Sequence, residues 1–226
     1  MRLVILVSSL IASSALAQPL QFGVKAGVPI TEYYDTGAYG ALHGDAHYTA
    51  TARRYTLAGV IEWRINRSLG LELDTQFHRM GYVAYVNTFN NGNYTNSVVD
   101  VIGDSWDFPL ALKYHLPLAP RLFVLGGGVL RYVGPVRGHG HETDGSLITQ
   151  TSTTTSIDTT YPSELRKRFY PGVTFGAGVD CPAGRVMIVP EFRYTRWTAN
   201  ISGEGGLLRF SPNQIEVLVG FVFGRK

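Results

Sequence analysis

The sequence predicts an all-β protein, an eight-stranded antiparallel up-and-down transmembrane β-barrel. Three observations predict it. Apolar and polar residues alternate with a period of two through eight separate runs, the pattern of half-buried strands. The links between those runs are alternately long and short. Charged residues are scarce, 16% of the 226 residues, against roughly 25% in an average soluble chain.

Composition excludes other classes. Aromatic residues make up 12% of the chain, too many for a disordered segment. One cysteine cannot build a disulfide scaffold. A formal charge of +3 is too weak to point to nucleic acid.

The first element is an export signal. Met1 to Ala17 sets Arg2 before an apolar core, Leu3 to Leu16, and ends in Ala15-Leu16-Ala17 ahead of Gln18. This is the n-region, h-region and A-x-A site of a secretory signal peptide, with cleavage expected after Ala17 and one domain from 18 to 226. No later apolar stretch approaches the roughly 20 residues of a membrane helix. The longest, Leu122 to Leu130, has nine residues, three of them glycine.

The strands follow in order. Gln21 to Val28 alternates Phe22, Val24 and Ala26 with Gly23, Lys25 and Gly27. Tyr55, Leu57, Gly59, Ile61 and Trp63 share the second run's apolar face, with Glu62 and Arg64 on the other. In the third, Leu69, Leu71, Leu73, Thr75 and Phe77 oppose Glu72, Asp74, Gln76 and His78. Trp106, Phe108, Leu110, Leu112 and Tyr114 oppose Asp107, Lys113 and His115 in the fourth. Leu122 to Tyr132, the fifth, is apolar on both faces and cannot be phased. Phe169 to Val179 sets Val173, Phe175, Ala177 and Val179 against Gly172, Thr174, Gly176 and Gly178. Ile188, Pro190, Phe192 and Tyr194 oppose Glu191 and Arg193 in the seventh, and Ile215, Val217, Val219, Phe221 and Phe223 oppose Gln214 and Glu216 in the last.

Asn66–Ser68, Pro117–Pro120 and Pro182–Gly184 read as tight turns. Ile30 to Thr51, Val86 to Ser105, Val133 to Arg168 and Thr198 to Ser211 read as long polar loops. The low-complexity TSTTTSIDTT, Thr151 to Thr160, is expected in a mobile loop. Eight strands with these links put every long loop at one end and both termini at the other, the layout of an outer-membrane barrel.

Which face meets lipid is decided by the aromatics. Tyr55 and Trp63 share a face eight residues apart, and Trp106 and Tyr114 repeat the spacing. Eight residues at ~3.3 Å, tilted by roughly 40°, span about 20 Å of height, close to the ~25 Å apolar band between aromatic girdles. Only apolar residues and glycine lie between them. The charged face then becomes a lumen network of Glu62, Arg64, Glu72, Asp74, Lys113, Glu191, Arg193 and Glu216. Glu62/Arg64 are expected to face Glu72/Asp74, and Glu191/Arg193 to face Glu216. A lone buried charge is costly, so these groups must pair.

The stretches WDFPLALKYHL (Trp106 to Leu116), FGAGVD (Phe175 to Asp180) and VPEFRYTRW (Val189 to Trp197), with the closing QIEVLVGFVFG, resemble the small bacterial outer-membrane β-barrel domain family, which includes the OmpA and OmpX types. The resemblance implies residence in the outer membrane, lipid as surroundings, insertion by the barrel-assembly machinery and a monomeric state. It also implies a terminal aromatic as the assembly signal, and here Phe223 is followed by Gly224, Arg225 and Lys226.

Chemistry is sparse. No G-x-S-x-G, P-loop, H-E-x-x-H or paired-cysteine motif occurs, so no enzyme activity and no cofactor are expected. His78 and His115 are the only strand histidines, and His115 is expected at the periplasmic rim. His43 and His47 with Asp45, and His139 and His141 with Glu142 and Asp144, fall in two long loops of one end. Histidine with carboxylate suits zinc, nickel or copper, and solvated loop residues are the plainer reading. The expected function is structural or surface interaction, with the loops holding an extracellular ligand. The alternatives are a narrow pore or uptake barrel and a soluble periplasmic lipocalin-like carrier, with an enzyme acting on lipid more remote.

Overall fold

In a computed structural model, which describes residues 20–35, 38–41, 44–51, 54–160, 168–198 and 209–223, the alternating runs close on themselves. The ring strands among these residues are β1 (Leu20–Pro29), β2 (Thr56–Arg64), β3 (Leu69–Asn90), β4 (Asn93–Leu116), β5 (Ala119–Ser146), β6 (Phe169–Val179), β7 (Val186–Trp197) and β8 (Asn213–Phe223). Each pairs antiparallel with its successor. β8 returns to β1 from Phe22↔Phe223 to Pro29↔Glu216. The antiparallel eight-stranded ring is thus closed, and each of its strands is paired on both sides, which removes the exposed edge of an open sheet. Among the described residues no helix is long and apolar enough to cross a membrane.

Alternation sets the two surfaces. Phe22, Leu57, Leu110, Phe175 and Phe221 lie exposed on the outer wall, while Lys25, Glu72, Asp74, Lys113, Glu191 and Arg193 are buried inside. Exposed apolar area on this scale costs about 25 cal/mol per Å² in water, and lipid removes that cost. A carrier barrel needs the opposite arrangement, an apolar interior, and the interior is ionic. The structure also phases β5. Leu122, Val124 and Leu130 face out, whereas Phe123, Leu125, Val129 and Arg131 face in.

All four expected loops contain strand residues, the last of them in the short piece Arg209–Phe210, which pairs with Tyr34–Asp35 of the first. The stretch Val86 to Ser105 is a continuous hairpin: β3 runs to Asn90 and β4 starts at Asn93. Asn91 (φ 50°) and Gly92 (φ 78°) make the two-residue turn, and an Asn-Gly pair supplies the positive φ such a turn requires. β5 runs on to Ser146, and Thr151–Thr160 folds back onto it from Arg137↔Thr160 to Ser146↔Thr151. This TSTTTSIDTT segment is therefore a strand and not a loop, because its run of β-branched threonines favours extended backbone once an edge is offered. Between β1 and β2, Ala38–Ala41 pairs with Gly44–Ala50, which pairs with β3 from Gly44↔Thr88 to Ala50↔Tyr82. A six-stranded antiparallel sheet thus continues one side of the barrel past its rim. From Tyr82 to Asn90 it extends roughly 27 Å along the strand.

Candidate functional site

Ionic groups fill the lumen in two tiers. In the tier nearer the short turns, Lys25 projects from β1 into three carboxylates: its Nζ lies 2.5 Å from Glu72, 2.9 Å from Glu191 and 3.3 Å from Asp74. Arg193 of β7 grips the same three. It donates from Nε to Glu191 at 2.6 Å, from Nη1 to Asp74 at 2.7 Å and from Nη2 to Glu72 at 3.0 Å. Lys113 donates to Glu62 at 2.9 Å, stands 3.7 Å from Glu72 and lies 4.0 Å from the centre of the Phe123 ring. Arg64 is partly exposed at the barrel end, 3.4 Å from Glu62 and 3.3 Å from Asp180. His115 shares Asp180 at 3.1 Å. It is buried and stands at the short-turn end of its strand, where its backbone N–H donates to the Ser68 carbonyl.

The second tier lies toward the long connections. Arg131 holds Asp107 through two parallel bonds and donates a further one to Gln214 at 2.8 Å. Its guanidinium lies 4.1 Å from the Trp197 ring, and the Trp197 Nε1 also donates to Gln214, at 2.9 Å. His78 Nδ1 meets the Tyr33 hydroxyl at 2.5 Å and Thr56 at 3.1 Å, and Thr56 donates to Glu216 at 2.8 Å. Ser105 is the Cα partner of His78, but its hydroxyl makes no hydrogen bond, so no Ser–His couple is assembled.

An apolar lid covers this tier. Tyr33 and Tyr34, from the link after β1, turn into the barrel mouth and pack with Tyr48, Met80, Tyr82, Tyr170 and Trp197. Burial, then the Glu216 carboxylate, push the Tyr33 phenol well above its ordinary range, which keeps it protonated. At the opposite end Phe123, Leu125, Met187, Val189 and Val222 form a second apolar cluster. The ion pairs sit between two dry layers, where a charge without its partner is costly.

All eight residues expected in the lumen network lie on the lumen side of their strands. Their partners differ from the expectation. Arg193 and Glu216 are Cα partners, yet Arg193 reaches across to β3 and Glu216 takes the Thr56 hydroxyl. Glu62 and Glu72 are also Cα partners, and Lys113 of β4 stands between them. Sequence reasoning passed over Arg131, because its run could not be phased, and the Tyr33–Tyr34 lid, because it lies in a stretch read as loop.

Of the aromatic set, Tyr55 and Trp106 stand at the long-link end of the outer wall, where Phe77 joins them in an arc. Ring centres are 6.3 Å apart for Tyr55–Phe77 and 5.1 Å for Phe77–Trp106. Trp63 and Tyr114 stand at the short-turn end, beside Leu20 and Leu69 in register.

The histidines do not converge. His43 lies outside the described residues. His47, Tyr85, Val98 and His141 form one row of the protruding sheet, so His47 and His141 are three strand spacings, about 14 Å, apart. His139 bonds to Asp158 instead. Among the described residues no group of His, Cys, Asp and Glu could hold a metal.

The family model described as "Outer membrane protein beta-barrel domain" matches residues 3–223. A search of curated proteins finds no match. Among solved structures the chain is similar to Ail, the attachment invasion locus protein of Yersinia pestis, solved in complex with the heparin analogue sucrose octasulfate. The identity is 11% and the TM-score 0.34, over 91% of this chain and 97% of that one. It is also similar to Neisserial surface protein A, at 12% identity and a TM-score of 0.32 with the same coverage. Likenesses this low say nothing of activity.

Proposed function

Because the chain belongs to the outer membrane protein beta-barrel domain family, we propose that it serves as a closed, non-conducting and non-enzymatic barrel that carries an interaction surface outside the cell. The observation that carries this reading is the pairing of a lumen filled by ion pairs with a six-stranded sheet that continues the wall on the long-link side. A pore needs an open path, whereas here Lys25 and Arg193 cross the lumen at its middle and the tyrosine lid covers its mouth. The protruding sheet, with polar rows such as Asn87, Asn96, Thr143 and Thr154, is the face offered to an extracellular ligand. The chain is exported with cleavage after Ala17, inserted by the barrel-assembly machinery despite the three residues beyond Phe223, and works as a monomer.

Three measurements test this. Amino-terminal sequencing of the membrane-extracted protein should begin at Gln18. In SDS gels the unboiled protein should run faster than the boiled one, because a closed barrel satisfies all strand hydrogen bonds internally. Reconstituted in a planar bilayer it should give no discrete conductance steps, and regular steps would replace this reading by the narrow pore.

A further inference from the structure

The outer wall carries a charged recess immediately beyond the aromatic arc of Tyr55, Phe77 and Trp106. Two residues past Phe77 on β3 is Arg79. Its register partner on β4 is Asp104, at an irregularity where pairing with β5 shifts between Gly103 and Ser105. Farther along β4, Ile102 is the partner of Arg137 and Asp100 that of His139. Two open cavities, about 390 Å³ and 440 Å³, meet here and share Arg79, Asp100 and Ile102. Gly103, Asp104, Pro135, Arg137 and the Asp158-bonded His139 complete the larger one, and Tyr55 lines the smaller.

The charges in this recess are left open. Among the described residues the side chains of Arg79, Arg137, Asp100 and Asp104 make no hydrogen bond or ion pair, even though Arg79 and Asp104 are direct cross-strand partners. Opposite charges on neighbouring strands ordinarily pair. Two guanidiniums and two carboxylates held apart in one recess fit a ligand that brings both signs itself. The setting names the class of ligand. Aromatic girdles mark the level where hydrocarbon gives way to head groups, and Phe77 and Trp106 offer apolar wall directly below.

We propose that this recess binds the head group of an outer-leaflet amphiphile carrying both a phosphate and an ammonium. The phosphate lies between Arg79 and Arg137, since guanidinium forks match phosphate oxygens. The ammonium meets Asp100 and Asp104, and the acyl chains run down over Phe77 and Trp106. The inference is independent of what the protruding sheet binds and of whether the lumen conducts.

The test uses the refolded full barrel in an uncharged maltoside detergent, with retained ligand read by native mass spectrometry. The probes are short-chain phosphatidylethanolamine, the matching phosphatidylglycerol and free phosphoethanolamine. Wild type should retain phosphatidylethanolamine at least about tenfold better than either of the others, the scale of one charge-assisted hydrogen bond. Arg79→Gln with Arg137→Gln should lose that lipid by a similar factor. Asp100→Asn with Asp104→Asn should bring phosphatidylglycerol to parity. None of the four side chains has a partner among the described residues, so both variants should keep the mobility shift on boiling. If the arginine variant misfolds, the change of selectivity in the aspartate variant decides alone. Equal retention of the two lipids by wild type, or full retention by a folded arginine variant, overturns the site. Free phosphoethanolamine bound as well as the lipid would overturn the membrane source of the ligand.

Discussion

Arg131 and Asp107 meet fork to fork inside the barrel, Nε to Oδ1 at 2.7 Å and Nη2 to Oδ2 at 2.6 Å, both side chains almost fully buried. They sit on neighbouring strands as Cα partners. The bidentate geometry fixes the register of β4 against β5 just below the irregularity at Gly103 to Ser105.

Breaking that pair from one side should cost about 3–5 kcal/mol, because the remaining charge stays buried without its counter-ion. Asp107→Asn or Arg131→Met should lower the temperature at which the compact SDS band disappears, and Asp107→Leu with Arg131→Met should recover part of the loss. A double variant whose loss equals the sum of the two single losses would show that the side chains contribute independently and that the fork adds nothing.

Lys25 is shared among Glu72, Asp74 and Glu191. Lys25→Met should leave the three carboxylates to Arg193, with Lys113 reaching only Glu72, at 3.7 Å. The expected result is a destabilisation comparable to that of Asp107→Asn, measured by the same melting of the compact band. Lys25→Arg should retain most of the stability, since charge matters here more than shape.

At Asp180 in the short turn after β6, burial would raise the carboxyl, but the bond from His115 and the charges of Lys113 and Arg64 outweigh it and hold it below its usual range. A carboxyl lowered in the folded state contributes stability that is complete above its unfolded value, near pH 4, and is lost as pH falls through the lowered one. Band stability should therefore decline below about pH 4, and less steeply in Asp180→Asn than in wild type.

Gly92 turns the β3–β4 hairpin at φ 78°, and a side chain there would run into Ile148. Gly92→Val should loosen the tip of the protruding sheet and expose it to proteinase K on intact cells. The barrel itself should keep its mobility shift on boiling, because its strands pair far below that turn.

The alternation was enough to read the barrel from the sequence. Runs such as Trp106 to Tyr114 permit only one face to be apolar, and a shift of one residue would invert it. Alternation also placed Lys25, Glu72 and Glu191 on the polar face. It could not say which of them meet, because the approach of side chains across a lumen depends on how far each strand slides along its neighbour as the ring closes. That slide brings Arg193 to Asp74 of β3, when the nearer Glu216 was expected. Three consecutive glycines in Leu122 to Leu130 erased the phase of β5 and with it Arg131. Periodicity is a local property, and it determined the strands, the two faces and the closed ring. The partners of each buried charge, the tyrosine lid and the sheet that joins Ala38–Ala41 and Gly44–Ala50 to residues 82–160 were decided only by the tertiary structure, because each depends on residues that pairing brings together from distant parts of the chain.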